Sequence, residues 1–216
     1  MATVTKRQRV LLIVNELAKH GGSQWRPLYK FIEESGVSVG QTFLSGLYDE
    51  ISVLRGTSAK RSTFISRLRT LTNRSGIRSV DLFLQLHGAS QHVWFYDGKV
   101  DTAVLRDEIL AENLPDRLRL VYNTSCYGNS HSSHLIQAGF ETAIGSSKVN
   151  ANAAVEYPVF CMQWAAGQTI KTLLPLADNP TARAAQDLTA TAMGFGNVNS
   201  RKIIKGRSTL KISTAP

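Results

Sequence analysis

The chain has only two cysteines, Cys126 and Cys161, among 216 residues, too few for a disulfide framework. Long apolar runs are missing as well. The longest near the start, Val10 to Val14, falls far short of the ~20 residues that span a bilayer. The head from Met1 to Arg9 enters that stretch without a small-residue cleavage site, which argues against a secretory signal and for a cytoplasmic protein with no membrane partner. The first strand lacks a following G-x-G-x-x-G turn, and Met193-Gly-Phe-Gly comes too late to supply one, so a dinucleotide-binding domain is not supported. Internal repeats and low-complexity tracts are absent too.

Acids are missing from two segments. Between Arg55 and Arg78 lie Lys60, Arg61, Arg67, Arg69 and Arg74 with no acid, and the tail from Arg201 carries Lys202, Lys205, Arg207 and Lys211 likewise. These runs account for much of the net charge of +9. Such charge draws nucleic acid, acidic protein surfaces or anionic lipid, although its plain reading is a solvated face. No interleaved aromatic platform or finger motif accompanies it, so nucleic acid is not favoured as a partner.

What is present reads as one α/β domain over residues 1–216, with 43% hydrophobic and 19% charged residues. Short β-rich runs alternate with helical patterns, which predicts a mostly parallel central sheet with helices on both faces. Strands are expected at Arg9 to Asn15, Val37 to Leu44, Val80 to Leu86, Arg117 to Asn123 and Phe140 to Gly145. Helices are expected at Pro27 to Glu34 with Gly36 ending it, Ser62 to Asn73, Thr102 to Asn113 with Thr102 as cap, and Ser130 to Gly139. The chain then turns helical from Val155 to Leu174, and Asn179-Pro180 opens another helix. Asp97-Gly98 between alternating residues marks a hairpin. A basic strand or tail, Lys202 to Ile212, closes the chain.

Two places share one pattern: an apolar strand, a reactive side chain, then glycine. His87-Gly88 follows Leu82 to Leu86, and Cys126 follows Leu118 to Tyr122 with Gly128 just beyond. Ligands of open parallel sheets sit outside the carboxyl ends of strands. The crossover Gly88 to Asp116 is long enough to make the two strands parallel neighbours. An imidazole beside a thiol provides what nucleophilic catalysis needs, a base for a group whose free pKa of ~8.5 leaves it mostly protonated at neutral pH. Cys161, within Val159-Phe-Cys-Met-Gln-Trp164, reads instead as core.

This order of hydrophobic block, His87-Gly88, spacer, hydrophobic block and Thr124-Ser125-Cys126-Tyr127-Gly128 resembles the caspase-like superfamily of cysteine peptidases. The hairpin after His-Gly resembles its CHAT and bacterial members. The resemblance spans roughly Arg9 to Ser147. It implies a three-layer caspase-like fold and a cysteine endopeptidase acting on protein or peptide substrates without metal or organic cofactor. It further implies His87 as base and acid, Cys126 as nucleophile, and the N–H groups of Gly88 and Cys126 as oxyanion donors. Members often carry a partner domain or an activating cleavage, which implies a regulatory protein partner. Caspases carry Gln-Ala before the cysteine and metacaspases Asp-Ser, so Thr124-Ser125 departs from both and leaves substrate preference open. Asn15, Glu16, Thr124, Ser125, Ser146 and Ser147 end neighbouring strands and are candidate substrate-binding residues. His20-Gly21-Gly22 reads as a loop. Cys126, His131 and His134 have the form C-x4-H-x2-H, which offers too few ligands for a zinc site. A catalytically silent module that binds an acidic partner through the basic surface is the alternative function.

Overall fold

The computed structural model describes residues 2–216. The apolar run Arg9–Glu16 forms β1, an interior strand of the sheet, buried along its whole length as a strand covered on both faces must be. Six strands lie in the order β2 (Glu50–Arg55), β1, β3 (Ser79–Ala89), β6 (Leu118–Asn123), β7 (Thr142–Ser146) and β8 (Lys202–Gly206). The first five are parallel, and β8 runs antiparallel on the edge. A hairpin, β4 (His92–Phe95) and β5 (Gly98–Asp101), pairs with the far end of β3.

Helices cover both faces. On one side Phe64, Leu68 and Leu71 of α2 (Arg61–Asn73), Leu105 and Ile109 of α3 (Thr102–Ala111), and Leu135 of α4 (Gly128–Gln137) pack onto the sheet. On the other lie Leu44 of α1 (Arg26–Leu44), Phe160 and Trp164 of α5 (Ala153–Ala165), and Ile170 and Leu173 of α6 (Ile170–Ala177). The last helix, α7 (Pro180–Ala192), is mostly exposed and is capped by the Asn179 side chain. No helix among the described residues is long and apolar enough to cross a membrane.

Several expectations are corrected. Val37 to Leu44 is not a strand but the second half of α1, because Glu33, Gly36, Gly40 and Leu44 form one buried stripe. Gly36 and Gly40 do not end the helix. A Cβ at Gly36 would lie 2.6 Å from Gln85 Oε1, and one at Gly40 would lie 2.7 Å from the Tyr157 hydroxyl, so both glycines let the helix approach. The expected helix Val155 to Leu174 is two helices, parted at Gly167 with φ +75°. Asp101, not Thr102, caps α3 by accepting the Ala103 N–H at 2.7 Å. The strand at the tail stops at Gly206.

The basic runs are largely balanced across space. Arg61 pairs with Glu108 at 3.5 Å, Arg69 with Glu112 at 3.2 Å, Arg67 with Glu50, and Arg74 with Asp49 and Glu50. Arg55 meets Glu33 at 3.0 Å and Glu34 at 3.1 Å. In the tail, Lys202 pairs with Glu156 at 2.7 Å and Arg207 with Glu141 at 2.8 Å. Most arginines of the first run thus meet acids from elsewhere in the chain, while the chain as a whole keeps its net charge of +9.

Candidate active site

Strands β3 and β6 are parallel neighbours, and Leu84 lies opposite Asn123. His87 and Cys126 each stand three residues beyond that pair, His87 in the extension of β3 that pairs with β4 and Cys126 in the turn after β6. Backbone proximity is tight. A Cβ on Gly88 would sit 2.9 Å from Ser125 Cβ and still closer to the Cys126 carbonyl oxygen. Only glycine after the histidine lets the cysteine turn come this near.

The cysteine is held by its turn. Tyr127 takes a left-handed conformation, φ 58°, and its N–H donates to Lys148 O at 2.7 Å. The Gly128 N–H returns to Ser125 O at 3.2 Å and begins α4. Cys126 thus stands before the positive end of a helix, a setting that favours an anion. Its own N–H has no acceptor on another residue among the described residues. The loop after β7 closes over the sulfur. The Asn150 N–H points to Sγ at 3.4 Å, and Asn150 Nδ2 donates to Thr124 O at 2.8 Å.

The histidine is held from the other side. His87 Nε2 lies 2.7 Å from the Leu17 carbonyl oxygen. A carbonyl only accepts, so Nε2 carries the proton and Nδ1 keeps a lone pair. Leu17 is fixed in turn: Glu33 Oε2 accepts the N–H groups of Leu17 and Ala18 at 3.1 and 3.2 Å. Tyr29 of α1 presents its ring edge-on to His87, with centroids 4.7 Å apart. The two reactive side chains make no direct hydrogen bond; each is oriented by a backbone group of a neighbouring loop.

Electrostatics favour the uncharged pair at rest. Burial lowers the pKa of His87 against the pull of the Leu17 carbonyl, and His20 lowers it further. Burial raises the Cys126 thiol, while the Asn150 N–H and the Lys202 ammonium draw it back down. Nearness to the sulfur adds to burial in raising Tyr29.

No protein-family model matches the sequence, and no curated protein matches it. Solved structures do. The chain is similar to the Drosophila initiator caspase Dronc, with TM-score 0.60 and 15% identity over 98% of this chain and 84% of that one. It is also similar to caspase-1 from Spodoptera frugiperda, with TM-score 0.59 and 14% identity over 94% of this chain and 87% of that one. A third, pro-sf-caspase-1, gives TM-score 0.61 at 14% identity, covering 94% and 92%. The fold is caspase-like. At such identities the shared property is the architecture, and residue roles rest on this chain's own geometry.

Within the caspase-like frame the remaining candidates divide. Asn15, Glu16, Ser125 and Ser146 are buried supports rather than exposed pocket walls. Asn15 Nδ2 bonds Glu33 O at 2.8 Å and Gln85 Oε1 at 2.5 Å, and Glu16 Oε1 accepts the Lys19 N–H at 2.8 Å. Ser146 Oγ reaches Ser125 O at 3.0 Å, which ties β7 to the cysteine turn. Thr124 and Ser147 keep partial exposure. His20 Nε2 meets Phe95 O at 2.8 Å and links its loop to the hairpin. His131 bonds Asn123 and Ala89 O, and His134 bonds Thr102, so both are committed within the fold. Among the described residues no group of three His, Cys, Asp or Glu converges on a metal position. Leu17 and Asn150 were not legible in the sequence, because each acts through a main-chain group that any residue carries.

Proposed function

We propose that the chain is a cysteine peptidase that cleaves peptide bonds through Cys126 and His87. The observation that supports this most is their placement: equal overhang from paired parallel strands, with the Gly88 and Cys126 backbones in contact. His87 Nδ1 takes the proton from Sγ, and the thiolate attacks the substrate carbonyl carbon. The carbonyl π pair moves to oxygen, where the N–H groups of Gly88 and Cys126 receive it. Each such donor is worth ~3 kcal/mol in a well-studied protease. The imidazolium then gives its proton to the leaving amine, and the C–N bond breaks to leave a thioester. Water, deprotonated by His87, cleaves the thioester and restores the thiol.

A neutral resting pair suits this order. Imidazole must be unprotonated to accept, and burial keeps it so. The thiolate need exist only during attack, when the Asn150 N–H and the helix start stabilise it. The basic-surface module is the weaker reading, since the arginines that motivated it face their own acids. The deciding experiment is labelling with an acyloxymethyl-ketone peptide probe. Wild type should be labelled, and Cys126→Ala and His87→Ala should not, with melting temperature retained. Labelling that survives Cys126→Ala would overturn the assignment.

A further inference from the structure

Behind the nucleophile lies a buried ion pair that the reaction above does not use. Lys202 opens β8, and its ammonium sits 2.7 Å from Glu156 Oε1 of α5, with both side chains wholly inaccessible to solvent. The same carboxylate oxygen accepts the Tyr122 hydroxyl at 2.8 Å, and Oε2 lies 3.5 Å from Asn152 Nδ2. The ammonium also reaches the Asn123 carbonyl at 3.5 Å and lies 5.9 Å from the Tyr122 ring centroid. Asn123 ends β6, three residues before the sulfur. The backbone N–H of Lys202 is fixed by Asp178 at 2.9 Å.

Such a pair is a poor device for stability alone. Desolvating two charges costs several kcal/mol per ion, and well-packed apolar residues of equal volume usually do as well. Its position suggests another role. The groups that act on the thiol are Tyr29 from α1, the Asn150 N–H from the loop after β7 and Lys202 from β8, with His87 on the neighbouring strand β3. Of these Lys202 is the one held in a buried ion pair. Glu156 holds it in place, and the Asn123 carbonyl at the end of β6 receives the same ammonium.

We propose that Lys202 is a positioning residue for Cys126: held by Glu156 against the end of β6, its ammonium steadies the sulfur's negative charge once His87 has taken the proton. This rests on reading Cys126 as the nucleophile. The ammonium pulls on the thiol in the sense required, against the larger effect of burial. It cannot touch substrate, so its influence is on the sulfur and not on binding.

The test is the pH dependence of Cys126 alkylation by iodoacetamide in a Cys161→Ala background. Lys202→Met leaves the Glu156 carboxylate buried and unpaired, so Lys202→Met/Glu156→Leu is compared with it, both checked by circular dichroism. In the folded double variant the alkylation profile should move to higher pH, and the rate at neutral pH should fall severalfold. On a cleaved peptide kcat should fall by a similar factor with KM unchanged. An unmoved alkylation curve in that variant overturns the proposal. Alkylation needs no turnover, so a failure of the peptidase reading would appear separately, as a wild type that cleaves no peptide.

Discussion

Gly145→Ala is the sharpest test of how the cysteine turn is built. Gly145 lies in β7 directly beneath the first residue of α4. A Cβ there would stand 2.5 Å from Gly128 O and 2.6 Å from Asn129 N, where ordinary contact begins at 3.4 Å. These atoms are main chain, and the Gly128 carbonyl carbon is nearer still, so no rotamer relieves the clash and α4 must lift by about an ångström or more. The turn Ser125 to Gly128 is the segment that would move, since the Gly128 N–H closes it on Ser125 O. Overpacking of this kind costs typically 1–3 kcal/mol, which for a chain of this size lowers Tm by roughly 2–12 °C. A misplacement of ~1 Å at a reacting group costs on the order of 100-fold in rate. The assays are differential scanning fluorimetry and kcat/KM on a cleaved peptide. Gly46→Ala is the control, as nothing lies within 4 Å of its Cβ position. If Gly145→Ala kept both Tm and rate within error of wild type, the glycine-on-glycine contact would not be what seats the turn.

Two further outcomes follow from the same geometry. Glu33→Ala leaves the Leu17 and Ala18 N–H groups without their acceptor, at ~1–3 kcal/mol for each that stays dry, and frees the loop whose carbonyl orients His87. Turnover should slow roughly 10- to 100-fold with little change in KM, and equal kinetics for the two proteins would refute the link. The second outcome concerns pH. Burial lowers His131 from 6.5 to about 4 and lowers His87 as well, so the unfolded chain binds more protons below pH 6.5 and stability declines as pH falls from there toward 4. His131 alone contributes roughly 3 kcal/mol to that decline. Glu16, whose carboxyl burial raises, opposes it in part. Urea midpoints at pH 7 and pH 5 measure the effect, and a midpoint higher at pH 5 would contradict it.

Much of this was legible because it is written in apolar runs. Strands β1, β3, β6 and β7 are mostly hydrophobic and buried, as a sheet covered on both faces requires, and the paired block-then-reactive-residue pattern put His87 and Cys126 at the ends of neighbouring strands. The strand expected at Val37 to Leu44 failed because Val37 and Val39 suggest alternation, whereas Gly36, Gly40 and Leu44 recur every fourth residue and are the ones that pack. Strand β2 escaped notice since it is short, partly exposed and at the edge. The basic runs misled for a different reason: the acids that answer them come from β2, α3 and the turn before β2, and pairings across such separations leave no local mark.

The same limit explains the division of labour at the site. The candidate side chains, His87 and Cys126, announce themselves by type and context. The groups that aim them are main-chain atoms of Leu17 and Asn150, delivered by loops that Glu33 and Ser200 hold; the Ser200 hydroxyl accepts the Ala151 N–H at 2.7 Å and donates to Asp187 at 2.5 Å. A backbone donor or acceptor is indifferent to residue identity, so the sequence determines it one step away, through the residues that fix the loop. Residues of this supporting kind should therefore show larger losses of rate than of stability when changed, whereas residues of the lower core network, such as Arg119 against Asp81, should show the reverse. That contrast follows from distance along the strands: Arg119 and Asp81 lie at the opposite end of β6 and β3 from the sulfur, where a shift unseats packing without reaching the edge that carries His87 and Cys126.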